Sequence, residues 1–214
     1  MGRPCGKLWR AITGQTGAVN PPALVALEPI SPRVLILGEA ALTPMAVVLG
    51  WAIGHDPLAT LRLDGPGVLY GVAATLPMVV SVLFLRRLKN WAWARHFERI
   101  IDDWIRPLFH GWRVWQLALV SLAAGVGEEL IFRGLLQGAL ALDEMIGKWP
   151  ALAIASVLFG LVHPISRPYV VLAAGIGLYL GGLWMVTGNL VVPIIAHGLY
   201  DFLVLIYVLR EARD

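Results

Sequence analysis

Residues 112–142 read WRVWQLALVSLAAGVGEELIFRGLLQGALAL, a long apolar run interrupted near its middle by Glu128, Glu129 and Arg133. A hydrocarbon core of about 30 Å is crossed by roughly 20 helical residues, so a run of about 30 has to tilt, protrude or break. The Gly125-Val126-Gly127 step is where a break is expected. Reading outward, five further apolar segments emerge: Val34 to Gly54, Pro66 to Leu85, Trp149 to about Pro164, Tyr169 to Val186 and Leu190 to Leu209. The fold expected is all-α, a polytopic transmembrane helix bundle of about six spans. Its parts are a tail over residues 1–33, two spans with an interfacial helix over 34–111, a core over 112–209 and a short tail over 210–214.

Composition supports this reading. Of 214 residues, 58% are apolar and 14% are charged, and the mean hydropathy is +0.73. A soluble domain carries roughly 25% charged residues, so soluble, disordered and disulfide-framed classes are excluded. The single cysteine, Cys5, lies outside every apolar segment and forms no intrachain bridge. Residues 1–33 contain no apolar core of signal-peptide length, and Gly6 stands where a myristoylation signal needs Ser or Thr.

The net charge of +3 reflects orientation in a membrane rather than nucleic-acid binding. With the N-terminus inside, 14 of 17 basic residues fall on the cytosolic side; Arg62 and Lys148 lie opposite, and Arg133 lies within a span. Both termini are therefore expected to be cytosolic. The stretch from Arg86 to Arg113 interleaves basic residues with Trp91, Trp93, Phe97, Trp104, Phe109 and Trp112. It reads as one interfacial amphipathic helix that ends at Pro107 and Gly111, with an aromatic belt rather than an RNA-stacking platform.

Ionisable side chains within spans are costly, and they mark the candidate site. Glu129 and Arg133 are four apart, a spacing suited to a buried ion pair. Glu128 lies about 100° around the helix from Glu129 and is left aimed elsewhere. His197 and Asp201 are also four apart, and His163 ends the fourth span. Two histidines and two carboxylates, Glu128, His163, His197 and Asp201, are a donor set able to hold zinc or another divalent metal and still offer a base to a bound water. Counted from the cytosolic ends, His163 sits some 10 Å nearer the cytosol than Glu128 and His197, so convergence requires tilt or a displaced fourth helix. Glu39, with Pro44 nearby, is a candidate for a water path but not for catalysis. Gly125, Gly127, Gly134 and Gly138, with Gly175, Gly177, Gly181 and Gly182 on the fifth span, permit close helix approach or a cleft.

Three motifs in order resemble those of the CPBP family of intramembrane proteases, the CAAX-protease and Abi bacteriocin-processing family: Glu128-Glu129 with Arg133, Phe159 with His163, and His197 with Asp201. They cover residues 128–201. The resemblance implies a metallo-endopeptidase in which Glu128 activates water and His163 and His197 bind the metal or orient that water. Asp201 stands where the family often has Asn, which helps hold the metal or the oxyanion; a carboxylate binds a cation more strongly but cannot donate a hydrogen bond. Glu129 and Arg133 would be the structural pair. The implied substrate is a membrane-associated peptide or protein, with prenylated CAAX chains among the family's substrates, and the implied location is the bacterial cytoplasmic membrane. Two alternatives from other classes are a non-proteolytic scaffold or immunity factor and a proton or cation transporter. The absence of repeat symmetry disfavours the transporter.

Overall fold

The computed structural model describes residues 30–88, 90–142 and 146–211. Readings of the tail over 1–29, with Cys5, and of Lys89 and residues 212–214 lie outside the described residues. Every regular element within them is helical: α1 (Pro32–Ala52), α2 (Gly65–Arg87), α3 (Ala92–Ile100), α4 (Val114–Glu129), α5 (Lys148–Leu161), α6 (Arg167–Thr187) and α7 (Val191–Arg210). Among the described residues, α1, α2, α6 and α7 are long and apolar enough to cross a membrane, and α5 is a shorter apolar helix. The chain is an integral membrane protein built as a helical bundle.

Local chemistry sets the helix starts. Asp64 Oδ1 accepts the Gly67 N–H at 2.6 Å with Pro66 in the first turn of α2, and Ser166 Oγ accepts the Tyr169 N–H at 3.3 Å with Pro168 in the first turn of α6. Each side chain satisfies an amide that the helix leaves without a partner. Gly188, at φ +57°, ends α6 in the left-handed conformation that glycine adopts without strain.

Residues 114–142 form one helical rod. α4 continues through a π-helical segment, Leu130–Gln137, into Gly138–Leu142. The break expected at Gly125-Val126-Gly127 does not occur; the irregularity comes later, directly after Glu129. The glycines serve close packing instead. A Cβ on Gly125 would lie 2.8 Å from the Gly198 amide nitrogen, and one on Gly127 would lie 2.8 Å from the Glu39 carbonyl oxygen. α4 is thus pressed between α7 and α1 at the level of its carboxylates.

The expected single helix over 86–113 is also corrected. α3 starts only at Ala92, passes through a π-helical turn (Ile101–Ile105) and ends with Arg106–Phe109. Pro107 lies inside this last segment rather than ending it, directly after the π-helical turn. Gly111, at φ +77°, makes the turn into α4.

α7 packs along α2 and α4, α1 packs on α4, and α5 packs on α6. At one end a polar knot fixes the start of α7: Asn189 Nδ2 donates to the Arg62 carbonyl at 2.9 Å, its Oδ1 accepts the Arg62 and Val191 amides, and Trp184 Nε1 donates to Thr60 Oγ1. At the other end α3 is tied across the bundle by Arg86 to Glu98 and by His96 to Ser166 Oγ at 2.7 Å.

Candidate active site

The depth conflict for His163 disappears in this arrangement. Glu128 lies 14 residues before the end of its rod at Leu142, and His163 lies 15 residues after the start of α5 at Lys148. In an antiparallel hairpin those positions are level. The rod simply runs past the other helices: Gly134 already packs against Leu190, where α7 begins. Span boundaries drawn to equal membrane depth hide this overhang.

The six polar residues form two groups. In the first, His163 Nε2 is 3.8 Å from Glu128 Oε2. His163 Nδ1 donates to the Phe159 carbonyl at 2.7 Å, so in the neutral ring Nε2 is an acceptor facing the carboxylate. Glu128 Oε2 is buried and has no hydrogen-bond partner, while the His163 side chain keeps 27% of its exposure.

In the second group, Glu129 Oε1 accepts Arg133 Nη1 at 2.7 Å and His197 Nδ1 at 2.8 Å. Arg133 Nη2 donates to the Gly177 carbonyl at 2.8 Å, and one turn further Gln137 Nε2 donates to the Gly181 carbonyl at 3.3 Å. The π-helical segment therefore clips to α6 through two side chains four apart reaching two glycine carbonyls four apart. Glu129, Arg133 and Gln137 are all but fully buried. His197 also turns Nε2 toward Asp201 Oδ2 at 3.4 Å, which places it between two carboxylates.

Three further side chains complete the site: Phe159, read from the sequence only as a motif residue; Glu39, read only as a candidate for a water path; and Tyr169, which carries no role in the sequence reading. The Phe159 ring lies 4.8 Å from His163, 5.9 Å from His197 and 5.1 Å from Phe132, with the Arg133 guanidinium 4.7 Å from its centroid. It is the wedge between the two groups. The Tyr169 ring is 6.5 Å from His163 and its phenol lies within the field of Asp201 and Glu128. Glu39 stands on α1 where that helix meets α4, its carbonyl oxygen against Gly127.

The expected metal ligands Glu128, His163, His197 and Asp201 stand as two pairs. Among the described residues no three His, Cys, Asp or Glu side chains form a set that could hold a metal ion. His197 has both ring nitrogens turned to carboxylates, which leaves His163 Nε2 as the imidazole nitrogen without a hydrogen bond. As they are placed, the four residues form no single donor set around one point.

A family model, that of type II CAAX prenyl endopeptidases of the Rce1-like kind, matches residues 110–203, a stretch that contains every residue of the two groups. No curated protein and no solved structure gives a significant match. Over residues 110–203, a little under half of its length, the chain is similar to the Rce1-like family of type II CAAX prenyl endopeptidases.

Proposed function

We propose that the protein is an intramembrane endopeptidase that hydrolyses a peptide bond of a membrane-associated substrate with a water activated by Glu128 and His163. The observation that carries this reading is the unpartnered Glu128 Oε2 set 3.8 Å from an acceptor nitrogen of His163. Two acceptors at that separation take both protons of one water and leave its lone pairs facing outward. As the water oxygen bonds to the scissile carbonyl carbon, one proton passes to Glu128. The C–N bond then breaks and that proton goes to the departing nitrogen. His197, in its doubly donating form between Glu129 and Asp201, supplies positive charge beside the developing oxyanion. Glu129 and Arg133 hold His197 in place and take no proton. Asp201 fixes the second face of His197 in place of an oxyanion donor.

The substrate class follows from the surroundings. A groove of about 600 Å³ opens between α2 and α6, lined by apolar side chains such as Met78, Leu85 and Ile176 and reaching Tyr200, the neighbour of Asp201. Its chemistry suits an isoprenoid or another lipid chain on the substrate. The arginines at positions 86, 87, 95, 99, 106, 113, 167 and 210 gather at one end of the bundle, which supports placing that end and both termini in the cytosol.

The test is cleavage of farnesylated and unmodified CAAX-type peptides by the purified chain in ¹⁸O-water. One ¹⁸O in the new carboxylate, and loss of cleavage in Glu128→Gln, are expected. Absence of cleavage, or full cleavage by Glu128→Gln, contradicts the reading and favours a scaffold or immunity factor. The cofactor expectation is tested by elemental mass spectrometry. Near-stoichiometric zinc, lost in His163→Ala and in His197→Ala, would place both histidines on one ion; zinc-free active protein assigns the chemistry to side chains alone.

A further inference from the structure

At the arginine-rich end, α2, α3 and α7 enclose a cleft of about 880 Å³ whose charged lining is Arg86, Arg87, Arg95, Arg99, Glu98 and Glu211. One arginine consumes both carboxylates. Arg86 bonds Glu98 through Nε at 2.7 Å and Nη2 at 3.1 Å, its Nη1 lies 2.6 Å from Glu211, and its guanidinium rests 5.0 Å above the Tyr207 ring. Arg106 reaches the same Glu211 oxygen at 3.6 Å and also pairs with Asp102.

Arg87, Arg95 and Arg99 are exposed and have no carboxylate partner among the described residues. Arg95 Nη1 donates only to the Asn90 carbonyl, at 2.5 Å. These three uncompensated guanidiniums are the part of the cleft left over once its internal ion pairs are made.

Position narrows the ligand. Trp91 and Trp93, 62% and 49% exposed, stand together at the start of α3, as indole rings do in a membrane interface. On α2 the exposed Leu83 lines the cleft, and exposed Phe84 and Val80 continue from it along the span. A phosphate held by the arginines would therefore have apolar helix surface directly beside it, on the lipid side. Arginine favours phosphate oxygens through its planar fork of donors.

We propose that this cleft binds the headgroup of an anionic phospholipid, with the acyl chains lying along the exposed face of α2. Because Tyr207 and Glu211 form its wall, the lipid braces the end of α7 ten residues from Asp201. Binding then raises the melting temperature as well as retaining the lipid.

The experiment is native mass spectrometry of the full chain in detergent doped with phosphatidylglycerol or phosphatidylcholine of equal chain length. R87Q/R95Q/R99Q is compared with R113Q/R167Q/R210Q, which removes the same charge from the same end but outside the cleft. The unchanged chain retains phosphatidylglycerol preferentially and melts higher with it. The cleft variant loses that preference on the order of 10²-fold, the product of roughly fivefold per arginine near a membrane surface, and the control variant keeps it. Equal retention of the two lipids, or equal loss in both variants, overturns the proposal. Displacement of phosphatidylglycerol by millimolar inorganic phosphate would overturn the lipid assignment in favour of a simple anion site. Should the triple variant fail to fold, R87Q/R99Q carries the same comparison.

Discussion

Glu128 and Glu129 are adjacent in the chain, yet they occupy opposite situations. Glu129 is fully enclosed and shares its Oε1 between Arg133 and His197, its Oε2 buried without a partner, while Glu128 has neither a cation nor a hydrogen bond on its buried Oε2 and faces the more exposed His163. The first arrangement satisfies charge and locks α4, α6 and α7 together. The second leaves a carboxylate poised for an incoming molecule. Neighbouring residues of one type thus divide into a holding half and a reacting half, because a helical turn of about 100° per residue points them at different partners.

The division is most sharply exposed by changing one carboxylate at a time. Glu128→Gln keeps size and removes the base, so turnover should fall about 10³- to 10⁴-fold, near the upper range for a general base, with an unchanged melting curve. Arg133→Ala should do the reverse in kind. It leaves Glu129 buried without its cation, which costs about 3–5 kcal/mol and reads as low yield and a lowered melting temperature in scanning calorimetry.

Packing beneath the two halves gives a smaller effect. Gly125→Ala puts a methyl group within 3 Å of the Gly198 backbone, and forcing α4 from α7 should cost about 1–3 kcal/mol in a denaturation series. The smallest effect expected is that of Asp201→Asn. The amide still bonds His197 and adds a donor, so kcat should change by less than about tenfold, the worth of one hydrogen bond. A larger loss would move Asp201 from the holding half into the reacting half.

Much of this was legible before any coordinates. Spacings of four put Glu129 beside Arg133 and His197 beside Asp201, because residues four apart share a helix face. What spacing could not give was the link between helices. His197 turning to Glu129, and Phe159 wedged between both histidines, depend on how far α4 overhangs its neighbours. Hydropathy measures apolar length and is blind to that overhang. The role of Gly177 and Gly181 was half visible: their spacing of four matches that of Arg133 and Gln137, yet only the packing of the π-helical segment on α6 reveals that their carbonyls are the acceptors.

The central claim is that the reacting half can be silenced without disturbing the holding half. Side-by-side measurement of turnover and melting temperature for Glu128→Gln and Glu129→Gln in one proteoliposome preparation tests it most directly. The account predicts a stable, inactive Glu128→Gln and a destabilised Glu129→Gln whose residual folded fraction still cleaves. Equal destabilisation of both variants, or an active Glu128→Gln, would contradict it.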